Sequence, residues 1–262
     1  MTIVKHELRQ GKIALLIWTV AIAVMLAICI CLFPEMKGQM EGINKIFSAM
    51  GAFTAAFGMD KLNFGTLIGY YAIECGNVLG ICGAFFAALC AVDMLSKEER
   101  GRTAEFLLTH PISRARILTE KLLAIFLQIT VMNVVVYGVA AVSMILIGEK
   151  IPWKELSLFH LAYYLCQLEL GGICFGISAF LKKGSLGTGL GVAAILYFLN
   201  LFANISKGTG FLKYITPFGY CDGADIVSAG KLNPVMVAIG MGICMLGILI
   251  AYWKYLRKDI SA

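Results

Sequence analysis

Four side chains carry polarity into otherwise apolar runs: Glu74 and Asn77 within 66–95, and Gln167 and Glu169 within 158–181. A carboxylate or amide at membrane depth is costly, so such residues either line a route for a polar solute or ion, or pair inside a bundle. Glu74 stands close to the end of its run that opens on a loop, where water or a partner within the bundle also satisfies it. Glu169 lies deeper and is the stronger candidate for a cavity lining. Asn133 and Asn200 are weaker cases of the same kind, and Asp93 is interfacial. Bond-making chemistry finds less footing. His6, His110 and His160 are dispersed, and no grouping of Ser, His and Asp can be drawn. Cys29 and Cys31 point to different faces of a helix and have no histidine beside them, so they do not read as a metal site. The phosphate cradle of an ATPase is missing: "KKGSLGTGLG" lacks the lysine that must follow the last glycine, and "AGKLNP" lacks the earlier glycine and the hydroxyl. The chain is not expected to be an enzyme; any use of ATP needs a separate chain.

The elements that hold these residues follow from apolarity. Of 262 residues 60% are hydrophobic and 15% charged, and mean hydropathy is +0.84, values that describe an integral membrane protein. A hydrocarbon core of about 30 Å takes roughly 20 apolar residues as helix. Six runs qualify: 13–33, 66–95, 118–147, 158–181, 186–205 and 235–255. The first is too long for the apolar part of a signal peptide and lacks small residues at its end. Continuous apolarity also argues against the alternation of a barrel. The expected fold is all-α and polytopic, a single membrane domain over 1–262. Every arginine falls on one set of flanks, with Lys5, Lys12, Lys97, Lys121, Lys182, Lys183, Lys254 and Lys258, while the other set holds lysines alone. By the excess of Lys and Arg on cytoplasmic flanks, both termini are expected in the cytoplasm of a plasma-membrane protein. The net charge of +6 is accounted for by these flanks, so nucleic-acid binding is not expected.

The segments outside the spans have their own character. "MTIVKHELRQGK" sets Ile3, Val4 and Leu8 among charges, as in a short amphipathic helix lying on the inner leaflet before the first span. The loop 37–65 carries Phe47, Met50, Phe53, Phe57 and Met59, too apolar for free solvation, and is expected to fold back as an interfacial helix. The last outer loop mixes aromatics with Pro217, Gly219, Gly223 and Pro234, which suits re-entrant or interfacial helices. Glycine pairs at helical spacing (65 with 69, 76 with 80, 172 with 176, 187 with 191) allow close helix contact. The nine cysteines sit almost entirely inside the spans as small hydrophobes, Cys221 being external.

Charge gathers between the second and third spans, in "KEERGRTAEFLLTHPISRARI". Ser96 with Glu99 matches a capping box, Glu98 and Glu99 suit a helix amino end, and Pro111 forbids continuation, so a short cytoplasmic helix is expected over about 97–110. It carries an apolar patch of Ala104, Phe106, Leu107 and Leu108 beside charges of both signs. Ser113 then caps the third span, whose first turns hold Arg114, Arg116, Glu120 and Lys121 and should project into the cytoplasm. Such a helix either touches a cytoplasmic partner or merely fixes topology and meets lipid head groups.

"TAEFLLTHPISR" resembles the coupling-loop signature of ABC-2 type transporter permeases: acidic residues, then Gly-Thr-x-Glu-x-Leu-Leu-x-x-Pro-x-Ser-Arg. Thr103, Glu105, Leu107, Leu108, Pro111, Ser113 and Arg114 match in spacing; Gly101 departs, standing two before Thr103. "YITPFGYCDGADIV" resembles the Pro-Phe-x-Tyr segment of the same family, and the resemblance covers essentially the whole chain. It implies a permease subunit of an ATP-driven exporter. Two permease chains, homodimer or heterodimer, would sit in the lipid bilayer on two ABC ATPase subunits that bind ATP and Mg. Phe106 and Leu107 would anchor the loop in a groove of the ATPase, with Glu98, Glu99 and Glu105 pairing with basic residues there. The family often exports amphipathic or lipophilic cargo such as peptide antibiotics or drugs. Two other readings use the same residues: a membrane scaffold or regulatory subunit holding a cytoplasmic partner, and an ion-driven secondary transporter with Glu74 or Glu169 as proton carrier.

Overall fold

The computed structural model describes residues 2–39, 51–59, 61–101, 112–181, 185–206 and 208–257. Among them there is no strand, and six helices are long and apolar enough to cross a membrane. These are α1 (Thr2–Gly38), α3 (Leu67–Val92), α5 (Arg114–Leu146), α6 (Trp153–Ser178), α7 (Leu186–Ile205) and α9 (Pro234–Leu256). Three short helices sit between them: α2 (Ala52–Ala56), α4 (Lys97–Arg100) and α8 (Gly223–Ala229).

Capping chemistry explains where several spans begin. The Thr66 hydroxyl accepts from the Gly69 amide and the Ser113 hydroxyl from the Arg116 amide, each satisfying a donor that the helix leaves open. Asn233 does the same for Val235 and Met236, with Pro234 in the first turn. Ser96 does not act this way. Its backbone is already helical, its hydroxyl donates to Asp93 at 2.9 Å, and it makes no cap hydrogen bond, so the expected capping box is not formed. Of the helix expected over 97–110, residues 97–100 are helical and the rest beyond Gly101 lies outside the described residues.

The N-terminal segment also differs from expectation. It is not a separate helix on the membrane surface but the first turns of α1, which runs unbroken for 37 residues. Its buried face, Ile3, Val4 and Glu7, lies against α5 rather than lipid, because Glu7 finds cations there.

α3 and α6 form the middle of the bundle, with α1, α5, α7 and α9 around them. Aromatic and aliphatic side chains fill the centre, including Phe33, Tyr71, Phe86, Phe159 and Phe175. The glycines predicted for close contact serve unequally. On α6, a Cβ at Gly172 would lie 2.4 Å from Cys244 Sγ and one at Gly176 would lie 2.7 Å from the Gly247 carbonyl, so α6 and α9 touch backbone to backbone. Gly191 faces open space.

This α6–α9 contact sets the depth of the last loop. Gly240 lies against Glu169, so α9 begins only about 9 Å beyond that level while α6 begins about 24 Å beyond it. Residues 206–233 fill the difference with two 3-10 turns, Gly210–Tyr214 and Gly219–Cys221, followed by α8. Thr216 through Cys221 are all buried. Their polar groups are satisfied locally: Thr216 Oγ1 donates to the Leu196 carbonyl at 2.8 Å and accepts from the Phe218 amide at 3.3 Å. The expected re-entrant character of this loop is what the structure shows. The first outer loop also folds back where it is described, with α2 against α7 and Asn204 donating to the Ala56 carbonyl; Phe47 and Met50 lie outside the described residues.

Candidate functional site: a charged knot and a set of buried polar groups

At the end of the bundle that carries the N-terminus, four charges close on one another. Lys121, on the buried face of α5, has no exposed surface. Its ammonium donates to Glu7 Oε1 at 3.1 Å, to the Met94 carbonyl at 2.8 Å and to Glu98 Oε1. Those three bonds use every proton it has. Lys97 donates to the other oxygen of Glu7 and to Gln10 at 3.1 Å. Glu7, Glu98, Lys97 and Lys121 thus form a neutral set, and each buried charge has an opposite charge in contact, which burial requires. Beside it Glu120 Oε2 accepts from the Ile3 and Val4 amides at 3.0 and 3.3 Å, while Oε1 accepts from Arg116 at 3.0 Å. A carboxylate from α5 therefore caps the amino end of α1, where helix amides are open and the dipole is positive.

The knot binds three elements: the start of α1, the α3–α4 segment and the start of α5. It does so with bonds that hold position rather than make or break covalent ones. Of the residues expected at the coupling loop, Glu98 is engaged here by Lys121, and its Oε2 has no hydrogen-bond partner among the described residues. Glu99 stands beside it on α4. Ser113 caps α5 as expected, and Arg114 is the first residue of that helix. Thr103, Glu105, Phe106, Leu107, Leu108 and Pro111 lie outside the described residues.

The sequence reading passed over Glu7 and left Lys121 as a basic flank. A signal was there: Glu7 shares the face of Ile3 and Val4, and Lys121 follows Ile117 and Leu118 at helical spacing on a buried stripe. Opposite charges on two apolar stripes are complementary only if the stripes meet.

The four polar residues inside the spans do not converge. Glu74 is half-buried on the side of α3 that meets α1, near Cys29 and Tyr70. Asn77 turns toward α7, accepting from the Tyr197 hydroxyl at 3.0 Å and donating to the Ile73 carbonyl. It borders a cavity of about 50 Å³ that Asn200, Asn204 and Asp222 also line, room for about one water. Gln167 points between α3 and α5, accepting from Asn133 at 2.6 Å and filling the place where Gly83 has no side chain. Glu169 faces α9 and the re-entrant turn. It is fully buried, and its Oε2 accepts from the Tyr220 hydroxyl at 3.0 Å. Its Oε1 has no hydrogen-bond partner among the described residues. The acid expected to line a cavity is instead the anchor for the segment Pro217–Tyr220.

A six-helix bundle, an acidic turn after the second span and a buried Pro-Phe-Gly-Tyr segment before the sixth are the features on which the resemblance rested. Residues 1–260 match the family model described as ABC-2 family transporter protein. The chain belongs to that family. No curated protein matches it. As an ABC-2 family transporter protein it is a membrane component of an ABC transporter, not itself the catalytic part, and the family implies an ABC ATPase partner.

Proposed function

We propose that this chain is the permease subunit of an exporter that moves an amphipathic or lipophilic compound, such as a peptide antibiotic or a drug, out of the cell. Two permease chains work with separate ATPase subunits that bind ATP and Mg, both termini lie in the cytoplasm, and residues 1–262 act as one transmembrane domain. The observation that carries this reading is the charged knot. It joins the segment that leads into the coupling-loop motif to both α1 and α5, so a push on that segment reaches two spans at once. The placement of every arginine on the same set of flanks supports the orientation. Thr103, Glu105, Phe106, Leu107, Leu108 and Pro111 are the proposed docking residues, with Glu99, Ser113 and Arg114 at their borders. Glu98 works from within the knot. Family membership leaves the ion-driven alternative without support.

The test is purification of the tagged chain with its ATPase from the native membrane, followed by ATP-driven uptake of a fluorescent amphiphile into inverted vesicles. Phe106→Asp is expected to reduce uptake at least about tenfold by placing a charge in an apolar contact, while the chain still inserts and folds. Uptake unaffected by Phe106→Asp, or by ATP depletion, overturns the reading. Charge reversal at Glu98 is a poorer test, since it also breaks the bond to Lys121.

A further inference from the structure

Between α1, α3 and the first turn of α7 lies a cavity of about 340 Å³, within the size range of small-molecule sites. One wall is apolar, formed by Trp18, Phe86 and Leu89, with the Trp18 and Phe86 rings 6.4 Å apart. The other end is polar, formed by Glu7, Asp93, Lys97 and Gln128. Asp93 and Phe86 are separated by about 10 Å along the axis of α3, so polarity and apolarity are offset along the membrane normal as they are in an amphiphile. Ala14 and Leu186, which also border the space, are exposed on the lipid-facing side.

The polar end is rich in acceptors and poor in donors. Two carboxylates, Glu7 and Asp93, face a single ammonium, Lys97, which is already bonded to Glu7 and Gln10. Gln128 is 3% exposed, and its Oε1 receives nothing stronger than the Cys90 thiol at 3.9 Å among the described residues. A Cβ at position 11 would lie 2.4 Å from that same oxygen, so Gly11 is what lets Gln128 reach the cavity. An anionic head would meet two carboxylates here. A protonated amine would meet carboxylates and a free amide oxygen, the partners a buried cation needs.

We propose that this cavity binds an amphiphile with a protonated amine head and an apolar body, taken from the leaflet next to the termini. The head lies between Asp93 and Gln128, and the body lies against Trp18 and Phe86. Because Glu7 and Lys97 belong both to this cavity and to the charged knot, the occupant touches the element that leads to the coupling-loop motif. This deepens the proposed function by naming a head-group class, and it rests on that reading only for the export step. Binding itself is a property of the permease alone.

The experiment uses the full chain in nonionic detergent with no ATPase present. Trp153 and Trp253 are replaced by phenylalanine so that Trp18 reports, and the quenchers are a bromododecylamine and the matching bromododecyl sulfate. Saturable quenching by the amine is expected, at least about tenfold weaker for the sulfate, and weakened about tenfold by Asp93→Asn. Ala14→Phe, at an exposed position bordering the cavity, should abolish the saturable component without lowering the unfolding temperature. Equal, unsaturable quenching by both probes shows only partition into the micelle and overturns the proposal. So does retention of saturable binding in Ala14→Phe, whether or not Asp93→Asn folds. A failed result here leaves the Phe106 test untouched, and a failed Phe106 test leaves this binding intact.

Discussion

Replacing Lys121 by methionine keeps an unbranched side chain of similar length and removes the charge. The lysine has no exposed surface, and three acceptors depend on it. In the variant Glu7 retains Lys97, but Glu98 loses its ion-pair partner and the Met94 carbonyl loses its donor. Removing one member of a buried ion pair costs about 3–5 kcal/mol. The side chain of Glu98 is 14% exposed and Glu7 keeps a cation, so the low end applies, about 3 kcal/mol. For a chain of this size that is a fall of roughly 6–12 °C in unfolding temperature. The measurement is thermal unfolding of the purified chain in detergent at one fixed scan rate, since a scan of a membrane protein reports a rate as much as an equilibrium. Glu7→Gln in the same background removes the charge that Lys121 neutralised. The double variant should therefore lose at least about 1 kcal/mol less than the sum of the singles. An unfolding temperature within about 1 °C of the parent for Lys121→Met, or strict additivity in the cycle, refutes the claim that the knot holds the terminal end together.

The close approach of α6 and α9 makes Gly176→Val costly, because its branches would meet the backbone of Gly247 rather than a side chain that can swing away. A loss of about 3 kcal/mol or more is expected by thermal unfolding, against no change for Gly191→Val in open space; equal effects would remove the backbone contact from the account. Glu120→Ala uncaps α1, and hydrogen exchange of the peptide spanning residues 2–10 should rise by about tenfold for a lost cap of about 1.4 kcal/mol. Unchanged exchange would mean that packing of Ile3 and Val4, not the carboxylate, fixes that end.

What was legible in the sequence is what lipid dictates locally. The span expected at 186–205 is α7 to the residue, and the span expected at 235–255 differs from α9 by one residue at each end. Hydrophobic thickness sets such lengths without reference to neighbours. Ser113 was also legible, since an N-cap depends on the next three residues. Ser96 was not: its hydroxyl has a competitor three residues upstream in Asp93, and once that bond forms the backbone at Ser96 remains helical. The polar residues inside the spans failed as a group for a different reason. Composition marks them as exceptional, but whether they share a cavity depends on helix rotation. Gln167 and Glu169, two positions apart on α6, face opposite neighbours, Asn133 on one side and Tyr220 on the other. The knot lay in the same blind spot, since its charges are spread over more than a hundred positions between Glu7 and Lys121.

The two ends of the bundle are joined by parts that cannot yield independently. α5 is about 50 Å long, longer than the hydrocarbon core by several turns, and its extra length lies at the end that holds Lys121. The Lys97–Gly101 segment cannot shift by a few ångströms and leave α5 behind, because the Lys121 ammonium is bonded to Glu98 and to the Met94 carbonyl as well as to Glu7. Nor can it leave α1 behind, since Glu7 takes both lysines and Glu120 holds the first amides of that helix. At the other end of α5, residues 147–152 turn directly into α6, whose Glu169 holds Tyr220 and whose glycines touch α9. Movement at the acidic turn is therefore borne first by α1 and α5 as rigid rods. The side chains best placed to yield are those with unused hydrogen-bonding capacity, Glu169 Oε1 and Asn133 Oδ1, because a rotation of α6 that finds them a partner regains part of what it breaks elsewhere.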